Sequence, residues 1–510
     1  MSNLINLVIP CAGQSKRFFE EGFIKHKPFL PLENNLNIIS KILYSFDKKL
    51  FKFHLVFTFE QYEIYKSEIL YLKKIFDSLK IHKIKEHTLG PTYSIQQIDI
   101  PLKEPLIVHY CDFLTRFEHK ELIEVVLNGN IAAPYFSGFH PASLGTTNFA
   151  YMILDSTGEL INLQEKKPFT LNRIDEPAST GIYGFPSFEL FLNLAENLFR
   201  NENQLVNKEA YTSLLLNEAL DIGLKVKCYR VNNFICLGTP RDYKEYLYWN
   251  NIFNQFHSSR GDNYENDYHL ITAAGHGSRF KKKNYRLPKI FNSFFDATLL
   301  ELSIKSLEGS STNIILLKDF LRYRQVLKNL QLDFQLHSID KTPNGQLISL
   351  DKLIQRLNLD TNSSFYVSSA DYNFSISNNQ FKKFVKKNNP DIVIFSTKWN
   401  VFAHESKNNY GFVKFDSNNK IFQIIEKPSL KEVEFVPDDL LIGTFWFKNK
   451  TIIKEMPFAG EDEESFIASS INKVVHKFKV YNFTVDYWLS LGTPKELNLA
   501  KYWFDYFKNE

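Results

Sequence analysis

The chain of 510 residues contains only four cysteines, at positions 11, 111, 228 and 236. They form no C-x-x-C pair, which argues against a zinc site and against a disulfide framework. Few cysteines in this arrangement favour a reduced environment, and we expect a cytoplasmic protein.

Long apolar runs and strong charge are also lacking. No apolar stretch approaches the roughly 20 residues that a membrane-spanning helix needs. The apolar residues 4–9 have neither a preceding basic segment nor a following small-residue cleavage site, so we expect no signal peptide. The net charge of +4 is too small to predict a nucleic-acid or membrane partner.

What the chain does contain is a long internal repeat. LVIPCAGQSKR at residues 7–17 is echoed by LITAAGHGSR at residues 270–279. The repeat keeps one spacing of 262 positions (275 − 13), which separates Gly13 from Gly275, Arg17 from Arg279, and Lys27 from Lys289. A sequence that repeats itself at a long, fixed period predicts a repeated structural unit.

Later segments repeat in the same order. Each half contains an E-K pair, then a glycine segment, then a copy of L-G-T-P, which lies at residues 237–240 in the first half and 491–494 in the second. The polar stretch between the halves is rich in turn formers and has no apolar period. We therefore predict a first domain at residues 1–255, a linker at 256–267 and a second domain at 268–510.

Within each half, short apolar runs alternate with segments of helical spacing. Residues 4–10, 51–59 and 106–110 are such runs, and helical patterns at residues 38–46 and 60–76 lie between them. This alternation predicts an α/β fold with a largely parallel sheet covered on both faces. In such sheets ligands bind at the carboxyl ends of the strands.

A glycine loop follows the first apolar strand of each half. Its small residues would let backbone N–H groups approach a phosphate, and the arginine at its end could bind that phosphate bidentately. Neither loop fits the Walker pattern or G-x-G-x-x-G. Further along each half, a glycine opens a predicted helix where a nucleotide base could lie against the backbone. The predicted nucleotide-binding residues are Ala12, Gly13, Gly90, Ala274, Gly275, Gly277 and Gly345.

A lysine and an acid complete each copy. Lys27 and Lys289 stand at the same distance from their loops, which favours a functional role over an ordinary surface position. Asp112 and Asp371 each follow an apolar strand. A carboxylate there suits Mg²⁺, which proteins hold through one or two carboxylates plus substrate phosphates. The alternative for each acid is a helix cap.

These motifs resemble the sugar-1-phosphate nucleotidyltransferases, also called NDP-sugar pyrophosphorylases, and the related phosphocholine cytidylyltransferases. The resemblance spans nearly all of both halves. It implies two tandem GT-A-like Rossmannoid domains, each a mainly parallel mixed sheet flanked by helices. It also implies that NMP is transferred from an NTP to a phosphorylated acceptor such as a sugar-1-phosphate, with release of pyrophosphate. The product would be an NDP-activated precursor for surface polysaccharide.

The resemblance also implies residue roles. Arg17 and Arg279 would hold the triphosphate, and Lys27 and Lys289 would bridge the α-phosphate and the acceptor phosphate. Mg²⁺ would bind to Asp112 and Asp371. The residues that would face the acceptor are Glu165, Lys166, Gly181, Gly411, Glu426, Lys427 and Gly443.

The sequence departs from the family pattern in three places. His26 stands where proline normally precedes the lysine. Cys236 and Ser490 stand where many relatives carry a second metal-binding aspartate. The second half keeps an acceptor-side segment, Y-G-F-V at residues 410–413, whereas the first half has F-A-Y-M at 149–152. The two halves could therefore take different acceptors.

Three alternatives stay open at this point. One half could be catalytic while the other is a degenerate nucleotide-binding half with a regulatory or structural role. The enzyme could be a cytidylyltransferase that acts on a non-sugar phosphate. A GT-A glycosyltransferase would usually show D-x-D, which neither residues 111–114 nor residues 370–373 supply. The sequence leaves the base, the acceptor and the oligomeric state undetermined.

Overall fold

The computed structural model describes residues 4–33, 35–145, 149–258, 264, 267–330, 332–398, 403, 407–429, 431–432, 437, 439–460 and 463–508. Its internal contacts divide the chain into two compact units, Met1–Leu247 and Tyr248–Glu510. A helix at Pro240–Ser258 contains the division and reaches into the predicted linker. Linker residues 259–263, 265 and 266 lie outside the described part of the chain, and the bounds of the two predicted domains stay a proposal.

The first unit alternates strands and helices. Its strands are β1 (Ile5–Pro10), β2 (Phe51–Thr58), β3 (Lys80–Ile84), β4 (Leu106–His109), β5 (Phe113–Arg116), β6 (Ile131–Ala132), β7 (Tyr135–Phe136), β8 (Ala150–Leu154), β9 (Leu160–Glu165), β10 (Ala178–Ser179), β11 (Ile182–Phe185), β12 (Val226–Lys227) and β13 (Asn233–Cys236). Its helices before the boundary helix are Lys16–Glu20, Ile38–Tyr44, Phe59–Ile64, Lys66–Ile75, Pro91–Gln96, His119–Leu127, Phe188–Arg200 and Leu214–Asp221. Short 3-10 turns lie at Lys27–Phe29, Pro141–Leu144 and Glu202–Gln204.

The second unit repeats this alternation. Its strands are β14 (Tyr268–Ala273), β15 (Ser293–Phe294), β16 (Ala297–Thr298), β17 (Ser311–Leu317), β18 (Gln335–Ile339), β19 (Phe365–Ser369), β20 (Tyr372–Ser375), β21 (Ile392–Thr397), β22 (Gly411–Phe415), β23 (Ile421–Glu426), β24 (Leu440–Phe447), β25 (Val480–Thr484) and β26 (Tyr487–Ser490). Its helices are Ser278–Lys281, Leu299–Lys305, Arg324–Asn329, Gln346–Arg356, Asn378–Asn388, Thr451–Lys454, Ile467–Val474 and Pro494–Lys508, with 3-10 turns at Lys289–Phe291, Lys318–Tyr323 and Lys407–Asn409.

The main sheets of the two units have the same strand order. The first runs β12-β6-β11-β4-β1-β2-β3, and the second runs β25-β21-β24-β19-β14-β17-β18. Along these two orders every neighbouring pair is parallel except those made by one strand, β11 or β24. The second sheet also includes the antiparallel pair β22–β23, in which β22 pairs with β24. The predicted α/β class, with a mainly parallel mixed sheet in each half, is confirmed.

Strands β1 and β14, each paired on both sides, explain where the loops and acids meet. All six residues of β1 are buried, as expected for a strand whose two faces are both covered by helices. The parallel neighbours β1 and β4 end just before the first glycine loop and Asp112, and β14 and β19 end just before the second loop and Asp371. Because parallel strands end at one edge of a sheet, loop and acid come together there.

Helix caps stabilise the elements around this edge. Thr58 and Gln61 form a capping box at the start of Phe59–Ile64, in which each side chain accepts a backbone N–H of the other residue. Thr298 caps Leu299–Lys305 through its hydroxyl. Among the described helices, none combines the length and the apolar character that a membrane span requires.

Candidate active sites

The first glycine loop is held by hydrogen bonds to other segments, and its Gly13 borders open space. Gln61 donates an N–H to the carbonyl oxygen of Gly13 at 3.0 Å. The Ser15 hydroxyl accepts the backbone N–H of Lys27 at 3.0 Å, which ties the loop to the lysine. Gly13 itself is exposed, and a Cβ placed on it would meet no atom within 4 Å. The loop therefore offers free backbone to a ligand.

The position where the first loop has a serine and the second a glycine has the same backbone in both units. Ser15 has φ 55° and Gly277 has φ 63°, both in the left-handed region. A Cβ on Gly277 would lie 2.7 Å from Cβ of Lys289, so this loop requires glycine. The first loop accepts a serine there, and the serine hydroxyl supplies the hydrogen bond to Lys27.

In both units the lysine and the acid form an ion pair. Lys27 Nζ lies 2.8 Å from Asp112 Oδ2, and Lys289 Nζ lies 2.5 Å from Asp371 Oδ2. Burial alone would raise the pKa of Asp112, but the charges of Lys27 and Arg17 outweigh it and hold that pKa below its ordinary value. Burial would lower the pKa of Lys27, and the attraction of Asp112 turns the net shift upward. Both groups are therefore charged at neutral pH.

In the first unit this pair lies in a cavity of about 480 Å³. The predicted site residues in its wall are Ala12, Gly13, Lys27, Gly90 and Asp112. Arg17 is exposed and lies outside this wall, although its charge reaches Asp112. The structure thus brings together the proposed nucleotide-side residues that the sequence selected, and Arg17 is not among the residues of this wall.

In the second unit the pair joins two cavities. The first, of about 290 Å³, is lined by the predicted residues Ala274, Gly275, Gly277, Lys289, Gly345 and Asp371. The second, of about 540 Å³, is lined by the predicted residues Arg279, Lys289, Gly411, Glu426, Gly443 and Asp371. Lys289, Asp371 and Ser369 belong to both walls. A group bound in one cavity would therefore meet a group bound in the other at the ion pair.

Gly90 and Gly345 begin helices, as the sequence predicts, and each lies against the backbone of another segment. Gly90 has φ 90°, and a Cβ there would lie 2.8 Å from the backbone of Ala210. Gly345 has φ 120°, and a Cβ there would lie 2.4 Å from the backbone N and O of Ser465. Only glycine fits both the left-handed backbone and this close approach.

The glutamates of the two E-K pairs are held alike. The Ser213 hydroxyl donates to Glu165 at 2.5 Å, and the Ser469 hydroxyl donates to Glu426 at 3.0 Å. Burial raises the pKa of both carboxyls, and the serine hydrogen bonds partly offset that effect. Glu426 lines the larger cavity of the second unit.

The lysines of the E-K pairs both adopt a left-handed backbone, with φ 58° at Lys166 and 47° at Lys427. Lys166 Nζ lies 4.1 Å from the ring centre of Tyr211 and also donates to its hydroxyl. Lys427 Nζ lies 4.0 Å from the ring centre of Phe466. Both contacts are cation–π interactions. The acceptor role that the resemblance implies for these lysines stays a prediction.

The sequence interpretation missed a buried acid three residues after each L-G-T. Glu496 accepts hydrogen bonds from the hydroxyls of Ser490 at 2.8 Å and Tyr410 at 3.1 Å. In the first unit, the Asp242 carboxylate accepts a hydrogen bond from the Cys236 thiol at 3.4 Å. Both acids are 4% exposed. They are 254 positions apart, like the L-G-T-P motifs, so the repeat contained the signal that could have identified them.

Carboxylate oxygens in the second unit fit a divalent cation. A Cβ on Gly492 would lie 2.9 Å from Asp371 Oδ2 and 3.4 Å from Glu496 Oε2, so both carboxylates face the same point. Two carboxylates plus substrate phosphates are the usual Mg²⁺ ligands. In the first unit Asp242 instead pairs with Arg241 at 3.2 Å. Within the described residues, no group of three or more His, Cys, Asp or Glu side chains is arranged to hold a metal.

Parts of this chain are similar to known proteins. Residues 268–503 match the family model described as nucleotidyl transferase. The bifunctional protein GlmU of Lactobacillus johnsonii is 24% identical over 248 residues, which cover 46% of this chain and 50% of that protein. A mannose-1-phosphate guanyltransferase of Yarrowia lipolytica is 24% identical over 238 residues, covering 44% and 61%. The chain thus spans about half of the first relative's length.

A solved structure shares the similarity. The nucleoside-diphosphate-sugar pyrophosphorylase of Vibrio cholerae aligns over 46% of this chain and 99% of its own, with 19% identity and a TM-score of 0.38. The family match over residues 268–503 and the two curated relatives support a nucleotidyltransferase enzyme.

Proposed function

We propose that the second unit transfers NMP from an NTP to a phosphorylated small-molecule acceptor and releases pyrophosphate. The observation that carries this proposal is the junction of its two cavities at Lys289 and Asp371. The smaller cavity contains the glycine loop, which suits a triphosphate. The larger contains Arg279 and Lys289, which suit an acceptor phosphate.

The chemistry needs no general base, because an acceptor phosphate is already a nucleophile. It would attack the α-phosphorus in line while pyrophosphate leaves on the opposite side. Lys289 would lie between the two phosphates and stabilise the charge that develops there, and Arg279 would neutralise the phosphate oxygens. Catalysis would then rest on positioning and on charge stabilisation.

Asp371 and Glu496 would hold Mg²⁺ in this unit. When bound, the ion would neutralise phosphate charge and fix the geometry of the triphosphate. Ser490 and Tyr410 hold the Glu496 carboxylate through one oxygen, Oε1, which leaves Oε2 on the side of Asp371.

The acceptor that we propose is a sugar-1-phosphate. The name of the Yarrowia lipolytica relative specifies mannose-1-phosphate as its substrate. Tyr410, Asn409 and Glu426 add hydroxyl, amide and carboxylate groups to the wall of the larger cavity, and such groups bind sugar hydroxyls through hydrogen bonds. The product would be an NDP-sugar, and we propose that it supplies surface polysaccharide synthesis.

The first unit supports a tandem arrangement of nucleotide sites. It has the strand order of the second unit and keeps the glycine loop, the Lys27–Asp112 pair and Gly90 around one cavity. We therefore propose that the first unit also binds an NTP.

The proposal is tested by pyrophosphate release from the full chain, with each of the four common NTPs against a panel of sugar-1-phosphates and other phosphorylated acceptors. We expect release with at least one pair, and a loss of at least about 100-fold in the Lys27→Ala/Lys289→Ala variant, since a single charge-stabilising donor contributes about that much. Lys281→Ala is the control, because Lys281 is an exposed lysine close to Arg279. Undiminished release by the double variant would contradict the proposed function.

A further inference from the structure

Aromatic rings fill the acceptor side of the first unit. Phe136 stacks on Phe234 with ring centres 4.0 Å apart and planes 9° apart, and its edge meets Phe149 at 5.1 Å. Phe113 also stacks on Phe234, with ring centres 5.5 Å apart. A Cβ on Gly181 would lie 2.9 Å from the Phe113 ring. The predicted acceptor residue Gly181 is therefore packed against phenylalanine.

The same positions in the second unit border open space. Phe113 follows Asp112 as Tyr372 follows Asp371, so these two residues correspond. The spacing of the two E-K pairs makes Tyr410 the counterpart of Phe149. The spacing of the two L-G-T-P motifs makes Trp488 the counterpart of Phe234. All three counterparts line the cavity of about 540 Å³. Their polar groups are absent from the phenylalanines of the first unit.

Strand register identifies the counterpart of Phe136. Phe136 of β7 pairs with Ala178, three residues before Gly181. Thr397 of β21 pairs with Leu440, three residues before Gly443. The first unit therefore carries a phenylalanine ring where the second carries a small threonine. This added ring is the one that stacks on Phe234.

The substitutions remove two tyrosine hydroxyls from this side of the first unit. In the second unit the Tyr410 hydroxyl donates to Glu496, and the Tyr372 hydroxyl lies 2.9 Å from that of Thr444. In the first unit Phe136, Phe234 and Phe113 are at most 5% exposed and offer hydrocarbon only. Burying a phosphate or sugar hydroxyls against hydrocarbon without hydrogen bonds is strongly unfavourable.

The acid of the first unit that corresponds to Glu496 is Asp242, and it is engaged in an ion pair. Asp242 pairs with Arg241, and Arg241 also pairs with Glu245 at 3.1 Å. The corresponding Glu496 directs an oxygen toward Asp371 instead. The nucleotide side of the first unit, in contrast, keeps its cavity and its charged pair.

We propose that the first unit is a nucleoside triphosphate site without an acceptor site, so that it binds NTP and does not transfer it. Transfer would occur in the second unit alone, and this inference rests on the function proposed above. A bound but unreactive NTP would make the first unit a nucleotide-dependent regulatory or stabilising part of the enzyme.

Cys111 offers a readout that is specific to the first unit. It lies in the wall of the 480 Å³ cavity, beside Asp112. All four cysteines precede residue 237, and the counterpart of Cys111 in the second unit is Ala370. Alkylation of Cys111 by N-ethylmaleimide, followed by peptide mass spectrometry, therefore reports on the first site even while the second is occupied.

The experiment compares the full-length wild type with the full-length Lys289→Ala and Arg279→Ala variants. Arg279 is exposed, and the thermal midpoint of each variant is measured to confirm that it is folded. Pyrophosphate release is measured with the NTP and acceptor panel, and bound NTP is counted by equilibrium dialysis. We expect both variants to lose release by at least about 100-fold. We expect NTP at about ten times its dissociation constant to slow Cys111 alkylation about tenfold in all three proteins.

The outcomes separate the two proposals. Release that persists in Lys289→Ala and disappears in Lys27→Ala/Lys289→Ala would overturn the inference, because the first unit would then be active. Release that persists in both variants would instead contradict the role of the lysines in the proposed function. Alkylation of Cys111 that NTP does not slow would overturn it as well. A wild type that releases no pyrophosphate with any pair would overturn the proposed function, while protection of Cys111 would still support a nucleotide site in the first unit.

Discussion

A single methyl group added at Gly492 tests the geometry of the second site. In Gly492→Ala the new Cβ would lie 2.9 Å from Asp371 Oδ2 and 3.4 Å from Glu496 Oε2. Ordinary van der Waals contact begins at 3.4 Å, so the Asp371 carboxylate must move by about 0.5 Å. Gly492 does not have a left-handed backbone, so the substitution adds no backbone strain.

The displacement sets the size of the effect. Asp371 is held by Lys289 at 2.5 Å, and moving it disturbs the junction of the two cavities. A misplacement of about 1 Å at a reacting centre lowers the rate about 100-fold, so about 0.5 Å should lower it about tenfold. We therefore expect kcat/KM for pyrophosphate release to fall about tenfold, which corresponds to about 1.4 kcal/mol.

Gly238→Ala is the matched control in the same chain. Its Cβ would lie 3.4 Å from Cys236 Sγ and 3.5 Å from Asp112 Oδ2, at ordinary contact distance. Steady-state pyrophosphate release and thermal midpoints of both variants are measured. We expect both midpoints to stay near that of the wild type and only Gly492→Ala to lose turnover. A Gly492→Ala enzyme with unchanged kcat/KM would refute the placement of Asp371 at the reacting centre.

Two further predictions concern stability. Gly345→Ala should lower the free energy of unfolding by more than about 2 kcal/mol, because φ is 120° and the new Cβ would lie 2.4 Å from the Ser465 backbone. Gly275→Ala is the control, and because open space surrounds Gly275 it should change the free energy of unfolding by less than about 0.5 kcal/mol. Equal urea midpoints for the two variants would contradict this. Burial lowers the pKa of His269 to about 3, so the unfolded chain takes up a proton below pH 6.5 while the folded chain does not. The stability that depends on neutral His269 is complete above pH 6.5 and is lost as the pH falls, by about 2 kcal/mol at pH 5. Urea unfolding of His269→Gln should show a smaller difference between pH 7 and pH 5, and an unchanged difference would count against this prediction.

The clustering of the proposed nucleotide-binding residues could be predicted from the sequence because its signals are local. A glycine loop after a buried strand, and an acid after the neighbouring strand, meet at one sheet edge whenever the strands are parallel neighbours. The structure places Gly13, Lys27, Gly90 and Asp112 in one cavity wall accordingly. Gly345 is required by the backbone of Ser465, which lies 120 positions away in the chain, and no local pattern could reveal that contact.

The proposed acceptor side was harder to predict because its residues come from distant segments. Glu496 lies only three residues after the threonine of the L-G-T-P motif. Its orientation nevertheless depends on hydrogen bonds from Ser490 and Tyr410, which only the folded chain brings together. The sequence showed that Phe149 replaces a tyrosine. It could not show that Phe136, on another strand, stacks over Phe234.

The sequence by itself determined the repeat, the α/β class and the residue types of two glycine loops, because periodicity and short motifs depend on neighbours along the chain. Only the tertiary structure decided that the second loop opens onto two cavities that share Lys289 and Asp371, and that rings cover the corresponding space in the first unit. Space is a property of packing between distant segments. Two halves that carry the same motifs can therefore differ in what they bind.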